Sequence, residues 1–210
     1  MCADPLNLER EIKKLEKAKI DFLHIDIMDG HFVPNLTFGP DIVKKVKKMT
    51  KLPLDIHLMV ENPEKYIDIW KTKKNDFVSF HIETTNHPGR VIQQIKNHYS
   101  CAGIALNPAT PLNHVSYLLK DLDFILLMTV NPGFAGQKWV PAVSEKLKKL
   151  SKMLDKKNLK TDIQVDGNIG DHNIPLLKQN GANIFVGGSS SVFKDSRYQR
   201  NTQRMRRLFI

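Results

Sequence analysis

Cysteine is nearly missing from this chain. Cys2 and Cys101 are the only two in 210 residues, and they fit no metal or redox spacing. That excludes a disulfide framework and points to a reducing, cytoplasmic setting with free thiols. Long apolar runs are missing as well. No stretch of eighteen apolar residues occurs, so no membrane span is expected. The opening MCADPLNLEREIKKLEK is polar and charged from Asp4 onward and holds no apolar signal-peptide core. Acidic residues are in deficit: 22 Asp and Glu against 32 Lys and Arg give a net charge of +10. Such an excess attracts nucleic acid, anionic membrane or a phosphorylated substrate. The lysines are spread along helix-like segments such as KKVKKM (44–49) and EKLKKLSK (145–152), as on a solvated surface. Only RNTQRMRR (200–207) concentrates arginine, and no RNA- or DNA-binding motif accompanies it. Neither a nucleic-acid nor a membrane partner is expected.

What is present is ordinary globular material, 41% apolar and 26% charged, enough for one core and one domain over residues 1–210. Short β-rich apolar runs alternate with amphipathic stretches. The runs predict strands over 22–28, 54–60, 76–82, 102–106, 123–130, 162–166 and 183–187. Helices are predicted over 6–18, 40–49, 63–73, 88–97, 111–119, 141–155, 172–179 and the C-terminal tail. Regular alternation argues for a parallel sheet covered by helices. Seven strands and eight helices predict an α/β protein, a (β/α)8 TIM barrel lacking its first β-strand; an open doubly wound sheet is the alternative. Polar residues favour the barrel because they gather at strand C-terminal ends, the functional face of that fold.

Two chemical signals sit at that end. Glycine-bearing turns follow three strands: NPGFAGQ (131–137), DGN (166–168) and VGGSSS (186–191). Glycine lets backbone approach a ligand, and bare N–H groups there make anion nests. A phosphate site is therefore expected. The second signal is a set of histidines and aspartates. His24 and Asp26 stand two apart on one strand and so share a face. Asp55 and His57 repeat the two types in reverse order on the next strand, and Asp166 ends the strand at 162–166. His24, Asp26, His57 and Asp166 form a mixed N/O set suited to Zn²⁺, Fe²⁺, Mn²⁺ or Co²⁺. Two aspartates on opposite sides of a substrate can remove a proton from one face of a carbon and return one to the other, inverting a stereocentre.

The segments HIDIMDGHFVPNLTFGP, LPLDIHLMVENPEKYI, ALNPATPL, MTVNPGFAGQKWVP and QVDG, in this order, resemble the ribulose-phosphate 3-epimerase family, from about Cys2 to Phe193. The resemblance implies a (β/α)8 barrel that interconverts D-ribulose 5-phosphate and D-xylulose 5-phosphate in the pentose phosphate pathway. It implies one divalent metal on His24, Asp26, His57 and Asp166, with the substrate's O2 and O3 on the metal and a cis-enediolate intermediate. Asp26 and Asp166 would be the acid/base pair at C3. The phosphate would rest on the loop Gly133, Phe134, Ala135 and Gly136, on Gly167 and Asn168, and on Gly188 and Ser189. Met28, Met59 and Met128 match methionines beside the reacting carbon, or are plain core residues. Asp29, Gly30, His31 and Asn35 are expected to shape the loop. His81 and Glu83 are expected to stand behind the ligands or to face solvent. A homo-oligomer, dimeric or hexameric, is the family expectation.

Two departures carry further expectations. The family's opening strand, ending in a Pro-Ser-Ile-like segment, has no counterpart here. Met1 is accordingly expected to be an internal methionine of a longer protein, and a chain truly starting there to be weakly stable and poorly active. VDGN (165–168) replaces the commoner VDGG, which resembles D-allulose-6-phosphate 3-epimerase, the same chemistry on a ketohexose phosphate. The rival of another class is a non-catalytic phosphate-ligand or RNA-binding barrel.

Overall fold

The computed structural model describes residues 1–209. Seven strands, β1 (Leu23–Met28), β2 (Leu54–Met59), β3 (Phe77–His81), β4 (Cys101–Leu106), β5 (Phe124–Met128), β6 (Asp162–Asp166) and β7 (Ile184–Phe185), pair in parallel in sequence order. The sheet curls on itself. Gln164 of β6 reaches across the interior to hydrogen-bond Asp55 of β2. β1 and β7 are not paired to each other, which leaves the sheet open on that side. This is the (β/α) barrel architecture with seven strands, as the strand count predicts.

Outside the sheet lie α1 (Leu8–Lys17), α2 (Pro40–Met49), α3 (Pro88–Asn97), α4 (Ala142–Lys156), α5 (Ile174–Gln179) and α6 (Tyr198–Arg207). Where the strands fail to close the ring, α1 and α6 help to close it. The Tyr198 hydroxyl donates to Glu11 of α1. Arg206 donates to the carbonyl of Lys19, 2.7 Å, and pairs with Asp21 at 2.9 Å, in the turn that leads from α1 to β1.

Two predicted helices are corrected. Residues 63–73 form short 3₁₀ turns, Pro63–Lys65 and Ile67–Trp70, and residues 111–119 hold only the turn Leu112–Val115 before another at Leu119–Asp121. The apolar spacing explains this. Ile67 and Trp70 are buried three apart, which suits a three-residue turn better than a 3.6-residue one, and Lys71 then turns left-handed at φ 46° and stops the coil. The last strand, predicted over 183–187, is the two-residue β7.

The strands divide the core into two layers, as alternation dictates. One set of side chains packs outward on the helices, including Ile25, Ile56, Val78, Ile104, Ile125 and Val165. The other set fills the interior, where Phe124 lies over Gly103. A Cβ at Gly103 would stand 2.3 Å from that ring, so only glycine fits there.

Candidate functional site

The interior positions nearest the C-terminal strand ends carry the chemistry. In the β1–β2 register Asp26 lies beside His57, and His24 beside Asp55. Parallel pairing without a bulge keeps these faces in step, so the two-residue spacing in the sequence becomes a ring of inward groups. His24, Asp26, His57 and Asp166 each offer one ligand atom, and these atoms lie within 4.8 Å of one another. His24 Nε2 stands 3.3 Å from Asp26 Oδ1 and 3.8 Å from Asp166 Oδ2. His57 Nδ1 stands 3.4 Å from Asp26 Oδ1 and 3.8 Å from Asp166 Oδ2.

These nitrogens test whether a cation fits. His24 Nε2 and His57 Nδ1 are both buried and neither has a hydrogen-bond partner. An orphaned buried nitrogen is costly, and two aimed at the same pair of carboxylates call for a common partner. Donors about 2.1 Å from a tetrahedral Zn²⁺ stand about 3.4 Å apart, close to the spacings here. The residues present therefore fit a divalent metal.

Each histidine is held from behind. His24 Nδ1 lies 2.6 Å from Asp55 Oδ2, which also takes a hydrogen bond from Gln164 Nε2 at 2.5 Å. Asp55 is 1% exposed, so this is a buried carboxylate aligning an imidazole. His57 Nε2 lies 2.9 Å from His81 Nε2, and His81 Nδ1 lies 3.2 Å from Glu83 Oε2. His81 is fully buried, which removes the solvent-facing alternative for it. Asp55 and Gln164 are the supports that sequence reasoning passed over. Their signal was there: Gln164 stands two residues before Asp166 and so shares its face.

The two carboxylates are electrostatically unequal. Burial alone would raise both. For Asp26 the facing His24 more than offsets burial and holds the carboxyl well below its ordinary range. For Asp166 burial prevails and the neighbouring Asp26 adds to it, so its carboxyl is raised. Burial opposes charge on His24 too, but the flanking Asp55 and Asp26 hold its imidazolium and raise its pKa well above the usual value.

The loops above the ring are built to approach a ligand. Gly133, Gly136 and Gly167 take φ of 117°, 79° and 111°, left-handed values that favour glycine. Asn168 is also left-handed, at φ 51°, and is fixed there because its Oδ1 accepts from Ser190 Oγ at 2.7 Å. Gly133, Phe134, Ala135, Gly136, Gly167, Asn168, Gly188 and Ser189 all line one cavity of about 500 Å³ that also reaches His24, Asp26 and Asp166. Met59 and Met128 line it; Met28 packs with Val33 beside Met59. His57 is fully buried beneath.

The loop after β1 shapes the mouth. Asp29 Oδ1 accepts from the backbone of His31 and Phe32, its Oδ2 accepts from the backbone of Glu61, and Gly30 turns left-handed at φ 75°. Asn35 Nδ2 donates to the Gly133 carbonyl at 2.7 Å and ties this loop to the glycine loop after β5. Thr37 covers the backbone of β1 beside Asp26: its hydroxyl donates to the Asp26 carbonyl at 2.6 Å and accepts from the Met28 N–H at 2.9 Å.

Known proteins resemble this chain over most of its length. The model of the ribulose-phosphate 3 epimerase family matches residues 1–193. The chain belongs to the ribulose-phosphate 3-epimerase family. It is 47% identical over 191 residues to the ribulose-phosphate 3-epimerase of Bacillus subtilis, covering 90% of this chain and 88% of that one. It is 44% identical over 195 residues to that of Methanocaldococcus jannaschii, covering 93% and 82%. Among solved structures, a mutant tryptophan synthase alpha-subunit from the hyperthermophile Pyrococcus furiosus superposes with a TM-score of 0.67 at 12% identity, covering 98% of this chain and 92% of that one. That likeness shows the barrel fold alone.

Proposed function

We propose that this chain is an isomerase that interconverts D-ribulose 5-phosphate and D-xylulose 5-phosphate by moving a proton at C3. The observation that carries the reading is the convergence of Asp26 and Asp166 with two orphaned imidazole nitrogens at the floor of a cavity whose rim is made of glycine loops. The curated relatives at 40% identity and above are epimerases of the pentulose phosphate, which favours that substrate over allulose 6-phosphate.

The roles follow from placement. Backbone N–H groups of the glycine loops at 133–136, 167–168 and 188–189 receive the phosphate and fix the sugar's far end. The reacting carbon then lies over the floor, between Asp26 and Asp166. Asp26, held ionised, accepts the C3 proton on one face. Asp166, whose carboxyl retains a proton more readily, delivers one on the other, and the roles exchange in the reverse direction. Met59 and Met128 line the same cavity with soft side chains that exchange no protons, which keeps water from quenching the intermediate. His24, Asp26, His57 and Asp166 would hold a divalent metal. When bound, that metal supplies positive charge that stabilises the negative charge developing on the substrate's oxygens.

A coupled assay with D-ribulose 5-phosphate and D-allulose 6-phosphate, run with Zn²⁺, Fe²⁺ and Mn²⁺, tests the reading. Turnover of the pentulose phosphate with a higher kcat/KM, and uptake of solvent deuterium at C3, are expected. Phosphate-ligand binding with no turnover under any metal would replace it with a non-catalytic barrel.

A further inference from the structure

The two candidate metal-binding histidines are supported differently. His24 meets a carboxylate directly. His57 meets another histidine, and only that one meets a carboxylate. The ring centroids of His57 and His81 are 5.0 Å apart while their Nε2 atoms are 2.9 Å apart. Those two distances together mean the rings meet edge to edge through a hydrogen bond and do not lie face on face. One of the two nitrogens must carry the proton and the other must be bare.

Glu83 decides which. Its Oε1 is occupied, accepting from the Asn107 backbone at 2.9 Å and from the Thr110 hydroxyl. Its Oε2 faces His81 Nδ1 at 3.2 Å, and a carboxylate can only accept. His81 therefore carries its hydrogen on Nδ1 and presents a bare Nε2. His57 must donate to that nitrogen, so its own hydrogen sits on Nε2. Its Nδ1 is left as a lone pair, and this is the orphaned buried atom that faces Asp26 and Asp166.

We propose that His81 and Glu83 are positioning residues that fix the tautomer of His57, so that its Nδ1 lone pair is presented to the metal. The proposal rests on the metal reading above for its purpose, though the relay itself is a property of the hydrogen bonds. Glu83 is well placed for the task. It belongs to the turn after β3, and its partners Asn107 and Thr110 belong to the loop after β4. Lys146 of α4 donates to the Asn107 carbonyl at 2.6 Å and holds that loop in turn. The relay therefore ties His57 to a loop outside the cavity, and no ligand side chain has to hold another.

Glu83→Gln tests this with almost no change in shape. Asn107 and Thr110 both donate, so the amide oxygen keeps the Oε1 position and the NH₂ group must face His81. His81 then accepts on Nδ1 and carries its hydrogen on Nε2, and His57 is driven to carry its hydrogen on Nδ1, where the metal would bind. Nitrogen-15 NMR of the imidazoles in alkaline buffer reads the tautomers, and Zn²⁺ competition against a chromophoric chelator reads affinity. In the unsubstituted protein His57 is expected to show Nε2–H. In Glu83→Gln it is expected to show Nδ1–H, with Zn²⁺ bound about 10–100-fold more weakly.

An Nδ1–H on His57 in the unsubstituted protein overturns the proposal, and this reading needs no variant to fold. Unchanged Zn²⁺ affinity in a folded Glu83→Gln protein overturns it as well. If the unsubstituted protein fails to bind Zn²⁺, Fe²⁺ or Mn²⁺ at all, the metal reading falls, while a tautomer switch between the two proteins would still uphold the relay.

Discussion

The interior of this barrel has two walls with the same backbone and opposite chemistry. The wall made by β1, β2, β3 and β6 turns Asp26, Asp55, His57, His81, Gln164 and Asp166 inward. The wall made by β4 and β5 turns Ala105, Leu126 and Met128 inward, with Phe124 laid over Gly103. Parallel register is continuous across both, so the sheet alone does not distinguish them. The difference shows that the sheet supplies position while side-chain identity decides whether a position does chemistry or packing. Several buried atoms on the polar wall have no hydrogen-bond partner, Asp55 Oδ1, Ser79 Oγ and Gln164 Oε1 among them, but only the two imidazole nitrogens face the same pair of carboxylates.

The comparison breaks most visibly at the carboxylates. Asp26→Asn and Asp166→Asn each keep the side chain's shape and remove one of the two proposed acid/base carboxylates. Each is expected to lower kcat by at least about a thousandfold, with circular dichroism unchanged. A variant retaining near-full rate would remove that aspartate from the two-base scheme. The mirror change on the apolar wall is Phe124→Ala. Phe124 is fully buried and touches Phe77 at a centroid distance of 5.4 Å. Its loss is expected to cost about 3–5 kcal/mol of stability, read from urea midpoints, while Zn²⁺ content per folded molecule stays the same. Loss of metal without loss of stability would dissolve the distinction between the walls.

A smaller effect sets the walls apart by pH. Burial pushes His81 down to about 4 against the pull of Glu83. The unfolded imidazole, near 6.5, takes up a proton first, so stability falls as pH drops from about 6.5 to about 4, by about 3 kcal/mol. Glu83 behaves alike one step lower. Burial would raise it, but hydrogen bonds from His81, Thr110 and Asn107 hold it at about 2, so its contribution is present above about 4.5 and lost as pH falls towards 2. Chemical denaturation across this range is expected to show the slope in the parent chain and unchanged in Phe124→Ala, because the apolar wall binds no protons. A flat profile from 6.5 to 4 would show that His81 is not held neutral.

Much of this was legible in the sequence, for reasons that differ by element. α2 and α3 begin at a proline and follow a 3.6-residue apolar period, and both run over the residues that pattern predicts. The turns at 63–70 and 112–115 also begin beside a proline, but the first buries Ile67 and Trp70 three apart and the second buries Val115 alone, so neither sustains a 3.6-residue period. The ring of His24, Asp26, His57 and Asp166 was legible because alternation along a strand is rigid. The supports were not, since they depend on distance in space: Gln164 and Asp55 are 109 residues apart in the chain. His81 and Glu83 were visible as polar residues at a strand end, but the register sets Ser79 beside His57, and only the side-chain geometry shows that His81 meets it.

The smallest expected effect is at Asn168, which sits on the rim of the polar wall yet does the work of a turn. Its left-handed backbone is a conformation that costs most residues about 1–2 kcal/mol and Asn less. Asn168→Gly removes that cost and also removes the hydrogen bond from Ser190, worth about 0.5–1.5 kcal/mol. The two nearly cancel, so thermal stability should move by no more than about 1 kcal/mol in either direction. The backbone N–H at 168 survives, and a looser loop should raise KM by no more than about tenfold, equivalent to about 1.4 kcal/mol, with kcat held. A large fall in kcat would mean that the Asn168 side chain reaches the reacting carbon and that the polar wall extends into the rim. A shift in preference towards the ketohexose phosphate would mean that this residue sets substrate length.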